Sequence, residues 1–448
     1  MVRESLEGKT RGTSGPQSVS TRLQRVAQLS REAPGMVWTT LSQHIDLTLL
    51  KEAYRLTRKD GVAGVDGQTG KEYEENLEEN LRSLLERLKS GTYKAPPVKR
   101  VYVPKSDGTR TRPIGIPTFE DKVLQRAVTM VLEAVYEEDF LDCSYGFRPG
   151  RSAHQAIDEL WRQTMQGGGG CVLELDIAKC FDTLDRKHIR AFLDKRVRDG
   201  VLRRAIDKWL KAGVLEEGKV RHPEAGTPQG GVISPLLMNI YLHEVLDKWF
   251  EAEVKPRLNG QARLIRYADD GVLWFSSSKD AQRVLEVLPK RFARFGLRLH
   301  PEKTRLIGFV RPRRGARKGT AGYPGSFDFL GFTHFWSRSR AGGWVVRRKT
   351  AKDRFARALK GIEQWCRIHR CLPVCDQHRM LVTKLKGHAQ YYGIRGNSQS
   401  VSRFYHTVRE IWRKWLNRRS QRSRMTWERF TRLRKRYPFP TRTVMHPI

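Results

Sequence analysis

The sequence predicts an α+β fold: a mixed sheet of strands and hairpins dressed with helices, followed by an all-helical segment. Three observations predict it. Helical and strand patterns succeed one another as helices, a strand hairpin, a mixed core and then helices alone. Two of the most apolar strand-like stretches, LELDIAKCF and RYADDGVLWF, carry bare acids. The last quarter has only helical periodicity and holds most of the net positive charge.

Residues 1–35 are rich in Ser, Gly and Arg and read as a disordered basic tail. LTLLKEAYRLTRKDG then sets Leu49, Leu50, Ala53 and Leu56 at helical spacing, and Gly61, Gly64 and Gly67 interrupt it. KEYEENLEENLRSLLERLKSGTY puts Leu77, Leu81, Leu84, Leu85 and Leu88 on one helical face. VKRVYVPKSDGTRTRPIGIP alternates up to a KSDG turn signal and resumes, which predicts a hairpin with Lys105, Arg110 and Arg112 near its tip. DKVLQRAVTMVLEAVYEEDF is a periodic helix, and SYGFRPGRS is a loop that opens the helix AHQAIDELWRQTM. The GGGG run at 167–170 reads as a hinge or exposed turn. CVLELDIAKCF reads as a buried strand. GTPQGGVISPLLMNIYLHEVLDKWF is a Gly-rich turn entering a helix, with Ser234 near the cap and Pro235 in the first turn. ARLIRYADDGVLWFSSS has strand character on both sides of Asp-Gly, so the acids belong at or beside a hairpin turn. A helix, a turn and a strand follow through LRLHPEKTRLI, then a basic loop, the strand FDFLGFTHFW and a series of basic helices.

Over 448 residues, 39% hydrophobic and 30% charged content describes a folded chain with room for two or three domains. No stretch is apolar enough to span a membrane, and the N-terminus has no run of secretory type. Six cysteines argue for a reducing compartment, so a cytoplasmic, bacterial setting is expected ahead of an organellar one. Cys371, Cys375 and His378 follow C-x3-C-x2-H, which is not a common structural zinc spacing. The net charge of +37 points to a polyanionic partner, most simply nucleic acid. From Ser337 onward there are 29 Lys and Arg against 5 Asp and Glu, which marks a domain boundary between 36–336 and 337–448. Aromatics interleave with that charge (Trp344, Trp365, Tyr391, Tyr392, Trp412, Trp415, Trp427), and part of this set must be the helices' own core.

Asp-Gly is a common turn dipeptide, so Asp269 and Asp270 alone could be solvated turn residues. Asp176 changes that reading, because an unpaired carboxylate inside an apolar strand is costly. Carboxylates converging from neighbouring strands suit two divalent cations that clamp the attacking and leaving oxygens of a phosphoryl displacement. Mg²⁺ in particular prefers a few carboxylates completed by substrate phosphates.

Eight stretches taken in order give the chain its resemblance: GVAGVDG, GTYKAPPVKRVYVPKSDGTRTRPIGIPT, SYGFRPGRSAH, LDIAKCFDTLD, GTPQGGVISPLLMNIYL, RYADDGVLWF, LRLHPEKT and FDFLGF. They resemble the successive blocks of the group II intron-encoded reverse transcriptase/maturase family, and GHAQYYGI with the basic helices resembles its thumb, or maturase, domain. The resemblance implies a right-hand polymerase, with fingers and palm over 36–336 and a thumb over 337–448. It implies metal ligation by Asp176, Asp269 and Asp270, with a backbone contribution from Ile177. Two Mg²⁺ ions are expected, with Mn²⁺ as a substitute. Lys105, Arg112, Ala178, Phe181, Gln229 and Lys303 match the nucleotide pocket, with Phe181 as the aromatic that excludes a 2′-OH. Arg148, Arg151, Gly230, Tyr391, Tyr392, Arg413, Lys414, Arg418 and Arg419 are the expected nucleic-acid contacts.

Expected partners are group II intron RNA, an RNA template, a DNA primer or target and dNTPs, with no membrane and with homodimerisation open. The implied function is RNA-directed DNA synthesis coupled to intron splicing and retrohoming. A splicing-only maturase and a reverse transcriptase domesticated for defence or repair stand as alternatives. Arg186 and Cys180 depart from the commoner His and aromatic, but neither removes a metal ligand. The chain closes at FPTRTVMHPI soon after the thumb helices, as expected of the class without a nuclease domain.

Overall fold

The apolar run at Cys171–Asp176 forms the strand expected of it and lies inside a four-stranded antiparallel sheet. In the computed structural model, which describes residues 18–104, 111–216, 219–221, 230–313, 324–420 and 424–441, this sheet runs in the order 262–267, 270–275, 171–176, 305–308. Ala262–Tyr267 and Asp270–Phe275 are the two arms of a hairpin, with Tyr267 opposite Asp270 and Ala268–Asp269 as the connecting residues. The central strand places Leu173 opposite Leu273 and Asp176 opposite Asp270. Its other edge pairs Leu173 with Leu306.

Contacts divide the chain into two units, each described by itself. The unit holding this sheet comprises 104–112, 141–180 and 242–448. Ala156, Ile157 and Leu160 of the helix Ala153–Gln166 pack with Val172, Ile265, Val272 and Trp274 of the sheet. Phe309, Phe327, Phe332 and Trp336 extend that core into a second sheet, in which Phe332–Arg338 lies between Phe327–Phe329 and Trp344–Thr350. Helices Lys352–Ile368, Val374–Tyr392, Ser398–Leu416 and Trp427–Arg436 share another core around Leu381, Leu385, Phe404, Val408 and Trp412.

The other unit takes in residues up to 103, 113–140 and 181–241. Val98–Pro104 and Thr111–Ile116 are neighbouring strands, as the hairpin reading expects, and its tip at 105–110 lies outside the described residues. Val98 pairs in parallel with Val214, which extends this sheet. In the same unit, Phe119–Tyr136 buries Val123, Leu124, Ala127, Val128 and Val131 and packs against the helices Val19–Glu32 and Leu47–Leu56.

Two local expectations are corrected. Part of the proposed tail is a helix, Val19–Glu32, capped by the Ser18 hydroxyl and tied down by Arg22 on Asp46 at 2.6 Å. The GGGG run is not an exposed hinge: Gly169 and Gly170 are buried, and a Cβ on Gly170 would lie 2.2 Å from the Phe275 carbonyl. Those glycines are there for close backbone approach.

Candidate active site

The two-residue connection in RYADD is tight, and its first residue adopts a left-handed backbone, Ala268 at φ 60. That conformation normally favours glycine, so an alanine there is strained. Surrounding structure holds it. Arg266 pairs by backbone with the preceding loop, donating to Cys143 O at 2.7 Å and accepting from Tyr145 N–H at 2.8 Å. Behind the turn lies Gly146, where a Cβ would come within 2.3 Å of Ala268 N.

Turn and register bring the three predicted aspartates to one end of the sheet. Asp176 is the last residue of its strand and faces Asp270 across it, and Asp269 occupies the turn itself. Lys303 Nζ donates to Asp176 Oδ2 at 2.9 Å, so the lysine of PEKT sits on a carboxylate. Burial raises the Asp269 carboxyl above its usual range; Asp176 adds to that, and Arg112 and Lys303 oppose it. Solvent reaches Asp270, yet crowding by protein atoms, then the charges of Asp269 and Asp176, push it up to about 6, against Arg354 and Lys303. Mutual repulsion among like charges gives the same direction whatever the degree of burial.

Backbone on the far side of Asp176 is equally fixed. Its carbonyl accepts from His300 N–H at 2.8 Å, Ile177 is buried in a bridge with Leu299, and Ala178 N–H donates to Arg298 O. Phe181 lies on the short helix Cys180–Thr183 and is partly exposed. Lys105 and Gln229 lie outside the described residues; Gly230 is described, with φ 120.

The expected nucleic-acid contacts fall into two groups. Arg148 is buried and donates to the Leu141 and Ser144 carbonyls, which makes it a loop clamp. Arg151 sits on Asp142 at 2.5 Å and over the Tyr145 ring. Tyr391 and Tyr392 pack their rings on Phe332, and the Tyr391 hydroxyl donates to Leu330 O. Arg413 covers Trp427 at 3.9 Å, and Arg419 donates to Leu372 O at 2.8 Å. Lys414 stays exposed on the helix Ser398–Leu416 and Arg418 in the turn just past its end, with Lys414 reaching Glu363. His378, from the cysteine cluster, bonds the Pro438 carbonyl and stacks on Phe439, while Cys371 and Cys375 are exposed.

Residue reasoning missed Arg266 and Asp247, both wholly buried and joined to each other. The signal was present: Arg266 stands amid the apolar RLIRYADD strand, and Asp247 amid the apolar YLHEVLDKWF helix.

A family model described as reverse transcriptase (RNA-dependent DNA polymerase) matches residues 103–334. The chain belongs to the reverse transcriptase family. The group II intron-encoded protein LtrA of Lactococcus lactis subsp. cremoris is 39% identical over 243 residues, covering 54% of this chain and 40% of that protein. Protein YkfC of Escherichia coli K12 is 40% identical over 225 residues, 49% of this chain and 58% of its own length. Nuclear intron maturase 2, mitochondrial, of Arabidopsis thaliana is 27% identical over 231 residues, covering 43% and 30%. The chain therefore spans less than two thirds of the length of these relatives. Reverse transcriptases generally use divalent metal ions.

The donor set here fits such ions: three carboxylates whose repulsion a cation would relieve, gathered at one solvent-reached strand end. Among the described residues no three His, Cys, Asp or Glu side chains are gathered closely enough to hold a metal ion by themselves. A hard cation here would need substrate phosphates to complete its shell. Among the same residues no helix is long and apolar enough to cross a membrane.

Proposed function

We propose that this chain is a group II intron-encoded reverse transcriptase that copies RNA into DNA and assists the splicing and mobility of its intron RNA. The observation that carries the reading is the placement of Asp176 opposite Asp270, with Asp269 in the adjoining turn, in a member of the reverse transcriptase family. Asp176, Asp269, Asp270 and the Ile177 carbonyl would hold two Mg²⁺ ions, or Mn²⁺. When bound, those ions supply charge stabilisation for in-line displacement at the α-phosphate.

The protein's own residues do the rest. Arg112, with Lys105, grips the triphosphate, for which guanidinium and ammonium groups are suited. The backbone at Ala178 and the ring of Phe181 line the sugar, and Phe181 excludes a ribonucleotide by its bulk. Gln229 and the adjoining Gly230 border the base. Lys303 leaves Asp176 for the polyphosphate or its leaving group when a nucleotide binds. Residues 337–448 act as thumb and maturase surface, through cations such as Lys414 and Arg418, on intron RNA and on the duplex of RNA template and DNA primer. The similarity to the Lactococcus protein supports the intron assignment. Homodimerisation belongs to the same reading.

Primer extension tests it. Wild-type protein should extend a DNA primer on an RNA template with dNTPs and Mg²⁺. Asp269→Ala should reduce extension to background while RNA affinity in filter binding stays unchanged. Extension near the wild-type rate by Asp269→Ala would remove the metal assignment.

A further inference from the structure

We infer that Arg266 and Asp247 form a buried positioning pair that fixes the metal-binding turn; this rests on the polymerase reading above. The guanidinium is fully enclosed, and its partners lie on three separate segments. Nε and Nη2 donate to Asp247 Oδ1 and Oδ2 at 2.8 and 2.5 Å. Nη2 also donates to Ser144 Oγ at 2.8 Å, and Nη1 to the Ala268 carbonyl at 3.0 Å.

The last contact bears on the site. The Ala268 carbonyl belongs to the peptide that leads into Asp269, so holding it sets that peptide plane and the direction from which the Asp269 side chain departs. The same peptide follows the strained Ala268, whose left-handed backbone persists only if its surroundings over-determine it. Asp247 is aimed at Arg266 from a π-helical segment, His243–Asp247, and a second such segment follows at Phe250–Val254. π-Helical turns are rare and recur at functional sites.

A buried ion pair is a poor device for stability alone, because desolvating both charges offsets most of their attraction. Replacing such a pair by apolar residues of similar volume is often neutral or stabilising. Apolar residues could not hold the Ala268 carbonyl. Partners that orient metal ligands typically change metal affinity or activity by about ten- to a hundredfold when removed.

Three full-length variants test the inference. Asp247→Leu with Arg266→Met replaces the pair by apolar volume. Arg266→Lys keeps a charge for Asp247 but is too short in donors to reach Ala268 as well. Ser144→Ala removes one lateral bond. Each is measured for thermal unfolding, for primer–template affinity, for Mn²⁺ affinity by electron paramagnetic resonance on the primer–template complex without nucleotide, and for the Mg²⁺ concentration that half-saturates extension.

The expected result is a folded double variant with wild-type primer–template affinity but Mn²⁺ affinity weakened about tenfold or more. Its half-saturating Mg²⁺ should rise in parallel, Arg266→Lys should fall between it and wild type, and Ser144→Ala should shift least. Unchanged metal affinity in the folded double variant overturns the inference. If that variant does not fold, Arg266→Lys decides on the same criterion: unchanged Mn²⁺ affinity in that folded single variant overturns the inference. The polymerase reading fails separately, if wild-type protein shows no metal-dependent extension.

Discussion

Asp121 lies at the first turn of the Phe119–Tyr136 helix, almost wholly enclosed. Its carboxylate accepts from the Tyr93 hydroxyl, from Trp209 Nε1 at 2.7 Å and from Gln125 Nε2 at 3.0 Å. Gln125 in turn accepts from the Ile233 N–H at 3.3 Å, so this acid underlies the segment that leaves the PQGG motif. Burial raises the carboxyl from 3.8 to about 6, and the three hydrogen bonds only partly oppose it. The folded state therefore binds this proton more tightly than the unfolded chain. Its contribution to stability is full below the unfolded value of 3.8 and is lost as pH rises towards about 6. Asp121→Asn removes the titration and stays uncharged throughout. The unfolding free energy of wild type minus that of Asp121→Asn should fall between about pH 4 and 6 and level off above, as followed by denaturant titration at each pH. A flat difference would mean that Asp121 remains ionised across the range. The residue scale was only partly legible. Asp176, Asp269 and Asp270 stood out because acids are rare in apolar strands, whereas Arg266, although it too stands in an apolar strand, was one of 85 Lys and Arg and so drew less notice.

Elements were legible where period and turn chemistry agreed. The RYADD hairpin and the strand at Cys171–Asp176 formed as their patterns require. The four glycines at 167–170 were misread, because a glycine gives the same letter whether it supplies freedom or room. Here it supplies room: Gly170 has φ 127, and its neighbours leave no space for a side chain. Phe309 N–H donates to its carbonyl at 2.7 Å, which joins this turn to the segment leaving the Arg305–Gly308 strand. Gly170→Ala should therefore destabilise the fold by about 2–4 kcal/mol, through backbone strain and overpacking together. Chemical denaturation would read this directly, and a loss under about 0.5 kcal/mol, the size of an ordinary surface change, would contradict the packing argument. The boundary expected at 336/337 marked a change of surface charge. Chain contacts ignore it: Trp336 and Ser337 pair with Val346 and Val345, so one sheet runs across that point.

For the molecule as a whole, the excess of positive charge is the feature that packing cannot explain. Many cations after Ser337 have internal tasks, as Arg413 does on Trp427 and Arg419 on the Leu372 carbonyl. Others carry their charge into solvent, among them Arg418, Arg432, Lys435 and Arg436. If the second group neutralises RNA phosphates, each contact releases condensed counterions, and the logarithm of affinity falls with the logarithm of salt by about 0.7 per single-strand contact and about 0.9 on a B-form duplex. Replacing these four residues by Gln leaves the helical core intact, since none of them is buried. Four lost contacts should flatten the salt slope of RNA binding by roughly 3 and weaken binding most at low salt. The two proteins should converge as salt rises, because the missing term is the one that salt removes. Filter binding across a salt series would separate this from a folding defect, which would lower affinity equally at every salt. An unchanged slope would move the RNA-binding surface away from these helices, and with it the splicing role assigned to residues 337–448.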